Sequence, residues 1–425
     1  MLRISIVFGF ALLLGFLATA RATDEVPGPP QVKPVLLMNG VIHPVSGPVI
    51  KKGFLLFENG VIQAVSKKRP KTDADVIDLK GQHVYPGMIE TMSQIGLVEI
   101  PAVRSSRDGR EAGTLNPNVM AVNSFNPDSA VVPVTRANGV LLAVSSPSGG
   151  LLSGRASLMM MDGWTNFEMA LKPEVAMVVN WPSASRSGKN AGLEQLTKFI
   201  EEARAYQVAR HAEPNRQAFD IRLESMLPVL AGKIPVMAKA DEVQEIQSAV
   251  AFCVEQDLKL IIFGGHDAME CVDLLKRHSV PVIVDSTHRR PARRHEAYDV
   301  AYTLPARLKA AGVSFCISGS GRAETWNSRN LPYHASFAAA HGLDQVEALK
   351  SVTLYPAQIL GVDSIVGSLT PGKHATLIVT TGDPLETETS VTSAWIKGRS
   401  VQLTSRHTRL YEKYKQKYEQ LELQP

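Results

Sequence analysis

Six short, nearly continuous apolar runs punctuate the middle of the chain, and helix-like stretches separate the later ones. The runs are GVLLAVSS (139–146), VAMVVNW (175–181), IPVMAKA (234–240), LKLIIFGG (258–265), VPVIVDS (280–286) and VSFCISG (313–319). A strand that is apolar on both faces must be covered on both, and parallel sheets obtain that cover from crossover helices. Between the third and fourth runs, Val243, Ile246, Val250 and Cys253 recur at helical spacing. The alternating region, residues 88–362, has a length that suits a closed barrel, for which about 250 residues is typical. A doubly wound sheet fits less well, because no Gly-rich phosphate fingerprint follows the early strands. The expected class is α/β, a (β/α)8 TIM-like barrel.

Both flanks of this region read as β-structure. Residues 34–87 alternate apolar runs with turns, and Asn39-Gly40 and Asn59-Gly60 each sit between apolar runs as hairpin signals. The pattern returns in residues 363–403, so the two chain ends are expected to pair into one small β-domain. Residues 103–135 are polar and irregular and should lie over the barrel mouth, as a lid or binding wall or as a passive insertion. Residues 404–425 read as a helix whose Leu410, Tyr414, Tyr418 and Leu421 recur every three to four positions. Docking of that stripe on the body is the expected arrangement, with a membrane-surface or partner helix as the alternative.

Residues 1–22 combine Arg3, an apolar run and Ala20-Arg21-Ala22, the pattern of a secretory signal peptide, and 23–33 form a Pro-rich linker. The apolar run is short for a membrane span, which needs about 20 residues. The chain is therefore expected to be exported, periplasmic or extracellular, with no span after cleavage. A formal charge of +4 over 425 residues gives no global basic field, which argues against nucleic acid as a partner. Three unpaired-spacing cysteines, Cys253, Cys271 and Cys316, exclude a disulfide scaffold or a cysteine zinc module and read as core filling.

The stretches VLLMNGVIHPVSGPVI, VIDLKGQHVYPGMIE, NLPYHASFAAAHGL, ALKSVTLYPAQILGVDSIVGSLTPGKHATLIV and TGDPLE, in that order, resemble the amidohydrolase superfamily, and within it the imidazolonepropionase-like amidohydrolases. The resemblance implies a barrel plus a small β-domain, hydrolysis of non-peptide C–N bonds, and one or two metals, zinc in active relatives, held at strand ends. It also implies where the ligands should stand, and there the chain departs from the pattern. In PGMIETMSQIG, Glu90 replaces the usual Asp, and Met92 and Gln94 occupy the two His positions. The fifth-strand His position holds Lys239, the sixth strand offers only His266, and Ser320 falls near the last Asp position. Thioether, carboxamide and ammonium groups do not seat a catalytic zinc, which takes three protein ligands. No metal and no other cofactor is expected.

Met92 and Gln94 then read as packing and hydrogen-bonding residues. Lys239 has two readings: a base or Schiff-base former with a depressed pKa, or a cation that pairs with a mouth carboxylate such as Glu90 in place of a metal. His266 with Asp267 is an acid–base pair or a helix cap. STHRRPARRHE (286–296) follows the seventh strand, so Arg289 and Arg290 are candidates for gripping an anionic small molecule, against a solvated loop, with Glu90, Asp285, Ser286 and His288 as further ligand-binding candidates. Three functions compete on these residues. One is a pseudoenzyme that binds a small molecule or partner. Another is a metal-independent hydrolase or lyase using Lys239 and His266. The third is a structural subunit of a homo- or hetero-oligomer with an active relative.

Overall fold

A computed structural model describes residues 25–183, 189–213, 216, 218–319 and 325–422. The signal-peptide expectation for 1–22 and the candidate Ser320 lie outside the described residues.

The small domain draws on both chain ends. Its N-terminal strands are β1 (Val35–Ile42), β2 (Ile50–Glu58), β3 (Val61–Ser66), β4 (Asp75–Asp78) and β5 (His83–Pro86). Asn59 and Gly60 turn the chain from β2 into β3, both with positive φ (51° and 77°), as a tight hairpin turn requires. Asn39-Gly40 makes no turn. It lies inside β1, where a bulge shifts the register against β2 and Asn39 takes the left-handed backbone (φ 60°).

The barrel follows: β6 (Met88–Ser93), β7 (Val140–Ser145), β8 (Leu152–Met160), β9 (Ala170–Asn180), β10 (Val236–Ala240), β11 (Leu260–Gly264), β12 (Val282–Asp285) and β13 (Phe315–Ser318). The chain returns to the small sheet with β14 (Leu377–Thr380), β15 (Val391–Ile396) and β16 (Arg399–Val401), and β14 lies antiparallel beside β5. Phe57 from the N-terminal end and Trp395 from the C-terminal end meet edge-on at 5.9 Å in the core of that sheet.

The barrel sheet runs β6 to β13 in chain order. It is TIM-like with one irregularity: β8 is antiparallel to both β7 and β9. Residues 146–151 connect β7 to β8 without a helix, and only Asn166–Met169 separates β8 from β9. Every residue of β8 is buried, including Arg155, whose guanidinium bonds the carbonyls of Pro117 and Asn118 and pairs with Glu174 at 2.9 Å. The helix Val243–Glu255 covers the barrel through Ile246, Ala249, Val250, Phe252 and Cys253 and starts with a capping box formed by Glu242 and Glu245. All three cysteines are buried and free.

The 103–135 segment divides in two. Val122, Phe125, Val131, Val132 and Val134 are buried in the body, whereas 103–108 are largely exposed, with Arg104 and Arg107 lining a cleft beside Gln94. Only the second part has the placement of a binding wall. The C-terminal helix, Arg406–Glu422, departs from expectation: no residue of it is buried, so its stripe is not docked on the body. Among the described residues no helix is long and apolar enough to cross a membrane.

Candidate functional site

Side chains at the C-terminal ends of parallel barrel strands converge by construction, because each strand ends at the same face. Here β6, β10, β12 and β13 deliver Glu90, Lys239, Asp285 and Ser318. Glu90 is fully buried. Its carboxylate accepts hydrogen bonds from the Ser318 hydroxyl, from Gly319 N–H at 2.8 Å and from Met92 N–H at 3.1 Å. Burial pushes its pKa up to about 7 against the pull of those donors, and the charge of Asp285 adds to the rise.

Lys239 sits between Asn180 on β9 and Phe263 on β11. Burial lowers its pKa, and the negative charge of Asp285 opposes that shift. Its acidic neighbour is thus Asp285, while Glu90 is engaged across the barrel seam. Asp285, opposite Ser318 in the β12–β13 register, is felt by Glu90, Lys239 and Arg289 alike.

His266 and Asp267 each have a further partner, although the charge of His266 is felt at Asp267. His266 Nε2 lies 3.4 Å from Asp241 Oδ1. Asp267 is clamped by both Arg293 nitrogens, at 2.8 and 2.7 Å, and accepts from Val243 N–H at 3.3 Å. The Arg293 hydrogen bonds hold its carboxyl below the usual range. Nor does it cap the turn that follows it; it fastens the start of the Val243 helix to the 286–296 loop. Asp241 can approach so closely only because residue 264 is glycine: a Cβ there would lie 2.2 Å from Asp241 Oδ1.

In the 286–296 loop, Arg289 is half-buried, with Glu296, Asp241, Asp285 and Asp267 around it, and its buried Nε has no hydrogen-bond partner among the described residues. Arg290 is exposed. His288 stacks on His334 at 4.1 Å and meets Phe337 edge-on at 4.2 Å. His334 was not singled out from sequence, although it stands in NLPYHASFAAAHGL. It is buried, its Nδ1 lies 3.2 Å from the Thr287 hydroxyl, and burial with the neighbouring His288 lowers its pKa to about 3. A Cβ on Gly319 would lie 3.1 Å from the His334 ring and 3.2 Å from Glu90 Oε2, so this glycine lets ring and carboxylate close in from two sides.

Met92 belongs to the barrel's apolar cluster. Gln94 turns outward past the end of β6 and donates to Ser148 Oγ at 2.8 Å. A one-residue bulge between Glu90 and Ser93 in the β6–β7 register breaks the strand alternation that would aim two ligands at one ion. Gln94 instead borders a cleft of about 460 Å3 whose other walls include Arg104, Arg107, Arg110, Ser148 and Gly149. None of these arginines is in an ion pair among the described residues.

The donor set does not fit the zinc that the resemblance implies. Among the described residues it offers one imidazole, already beside Asp241, an ammonium, a thioether, the Glu90 carboxylate filled by three hydrogen bonds, and Asp285, whose charge acts on Lys239. Among the described residues no group of three or more His, Cys, Asp or Glu side chains is placed to hold a metal ion.

Residues 236–402 match the amidohydrolase family. The amidohydrolase tasK of Hapsidospora irregularis is 23% identical over 395 residues, which cover 81% of this chain and 39% of that protein; the chain thus spans about two fifths of that relative's length. A putative N-acetylgalactosamine-6-phosphate deacetylase of Escherichia coli strain K12 is 38% identical over 58 residues, 14% of this chain and 32% of that protein. An amidohydrolase of Thermotoga maritima MSB8 superposes with a TM-score of 0.78 at 23% identity, covering 87% of this chain and 99% of that one. An adenosine deaminase of Xanthomonas campestris with bound zinc superposes at 0.51 and 15% identity, covering 93% of this chain and all of that one. The barrel with its two-ended β-domain is thus the fold of these amidohydrolases, and residues 236–402 carry the match to the amidohydrolase family.

Proposed function

We propose that this chain is an amidohydrolase-superfamily member that works without the family's metal, as an exported protein that binds a small anionic molecule at the barrel mouth. The observation that carries the reading is Lys239, a half-buried cation that feels the charge of half-buried Asp285 where the resemblance expects a metal-binding imidazole. A fixed ammonium attracts an anion without coordination chemistry, and burial strengthens that attraction by excluding water. Half-buried Arg289 and the three arginines of the outer cleft supply positive charge on both sides of the mouth. Export rests on the pattern of residues 1–22.

Isothermal titration with phosphate and a panel of mono- and dicarboxylates tests the proposal. Saturable binding is expected, weakened about tenfold or more in Lys239→Met and Arg289→Gln. A protein that binds none of these anions at millimolar concentration refutes it.

The lowered pKa of Lys239 favours a second reading, hydrolysis of a C–N bond without metal. A neutral amine would take a proton from water as its oxygen adds to the carbonyl carbon, and the ammonium so formed would protonate the departing nitrogen. That reading requires turnover that survives chelator and collapses in Lys239→Met.

A further inference from the structure

Among the described residues, the C-terminal helix is fastened only at its root. Ser405 and Thr408 cap each other at the start, Arg409 pairs with Glu25 at 3.1 Å, and Arg329 contacts His407 at 3.0 Å. Beyond that the helix stands clear, with Leu410, Tyr411, Tyr414, Tyr418 and Leu421 each 38–66% exposed. A lone helix of this length is marginal in water and takes its stability from burying a face.

The exposed face has the spacing of a two-helix seam. His407, Tyr411, Tyr414, Tyr418 and Leu421 follow one another at alternating intervals of four and three residues, the heptad pattern. The positions flanking that seam carry Thr408, Leu410, Lys415, Lys417 and Glu422. If two copies of the helix run parallel, Glu422 of one faces Lys417 of the other. If they run antiparallel, Glu422 faces Lys415. Either way the same helix is its own charge complement, twice per pair.

We infer that this helix pairs with the same helix of a second copy of the chain, making the protein a homodimer joined through Tyr411, Tyr414, Tyr418 and Leu421. A membrane surface is the rival occupant. It fits less well because Glu412, Glu419 and Glu422 are spread among the five basic residues, whereas helices that lie on anionic lipid carry a basic polar face. The inference does not depend on what the barrel mouth binds.

Sedimentation velocity of the full chain, from micromolar to about 100 µM, tests it. The wild type is expected to be a dimer, and Tyr414→Glu with Tyr418→Glu a monomer with the wild-type melting temperature. Glu422→Lys should weaken the dimer about fivefold, as two exposed ion pairs become repulsive. Adding Lys417→Glu restores it if the helices are parallel, and adding Lys415→Glu if they are antiparallel. A wild type that stays monomeric at 100 µM, or a dimer indifferent to the tyrosine substitutions, overturns the inference. So does a monomer that co-sediments with phosphatidylglycerol vesicles through these tyrosines.

Discussion

Ser318 gives its hydroxyl hydrogen to Glu90 across the seam where the last barrel strand meets the first. The same carboxylate takes the Gly319 N–H, so one buried acid ties together the two ends of an eight-stranded sheet. Its pKa, raised to about 7 from 4.5, makes the seam pH-sensitive. An acid whose folded pKa lies above its unfolded value stabilises the fold fully below the unfolded pKa, and that contribution is lost as pH rises through the folded one. Stability is therefore expected to fall between pH 4.5 and 7, by on the order of 1 to 3 kcal/mol from this group. Glu90→Gln removes the titration but must turn an amide N–H toward a backbone N–H. Urea unfolding at pH 5 and pH 8 should show the variant weaker at both, with the gap to wild type narrowing at pH 8. A gap that does not change with pH would mean Glu90 does not titrate in this range.

Lys239 and Asp285 predict the outcome of metal removal. With an ammonium in the mouth and no convergent imidazoles, a bound dication would meet repulsion in place of ligands. Purified protein is expected to hold far less than one equivalent of zinc by elemental analysis, and dialysis against EDTA should leave both its melting temperature and its anion binding unchanged. Lys239→Met should leave the fold intact while lowering anion affinity, because the thioether keeps the volume and discards the charge. Stoichiometric zinc that EDTA removes together with stability would contradict this.

Much of this was legible in the amino-acid sequence, and the failures have physical causes. Fully apolar strands mark a barrel, and six of its eight strands follow directly from their runs. β8 escaped because SGRASL is interrupted by small and polar residues that are satisfied only in three dimensions, by Arg155 reaching the Pro117 and Asn118 carbonyls. Asn-Gly favours left-handed backbone wherever it stands, so Asn59-Gly60 made a turn while Asn39-Gly40 made a bulge. At the mouth, the ligand positions implied by the resemblance singled out Glu90 and Lys239, and the end of the seventh strand singled out Asp285. Pairing was not legible: Asp267 looked like the partner of His266 because it is adjacent in sequence, yet Arg293 holds it from a distant loop. The helix stripe read as core because periodicity reports amphipathicity and not what covers the face.

Gly149 decides whether the outer cleft keeps its third arginine. Its φ is +85°, and Arg110 lies so close over it that a Cβ would come within 2.6 Å of Nε and 2.7 Å of Cγ. Gly149→Ala should cost about 1 kcal/mol from the left-handed backbone alone. It should also push Arg110 out of the cleft. The measurement is the salt dependence of anion binding, which should flatten in Gly149→Ala as it does in Arg110→Gln. Unaltered salt dependence in both variants would remove this cleft from the binding surface.

Arg136 and Asp162 form the deepest ion pair among the described residues, at 3.2 Å with side chains 4% and 1% exposed. Arg399 joins Asp162 at 3.3 Å from the C-terminal strand, Glu25 joins Arg136 at 3.1 Å from the N-terminal segment, and Gly28 N–H donates to the same aspartate. The pair thus fastens both chain ends to the barrel. Burial pushes the Asp162 pKa up and the Arg136 pKa down, so each charge depends on its partners to remain ionised. Asp162→Ala leaves two arginines facing each other and should cost about 3–5 kcal/mol, the penalty for breaking a buried pair from one side. Arg399→Met, which removes a more exposed partner, should cost less. Combining Asp162→Ala with Arg136→Met should recover part of the loss, because the more deeply buried of the two arginine charges is then gone and only the more exposed Arg399 is left without the aspartate. Urea unfolding of the four proteins measures this directly. A double variant as unstable as the sum of its single substitutions would mean the two charges are solvated independently.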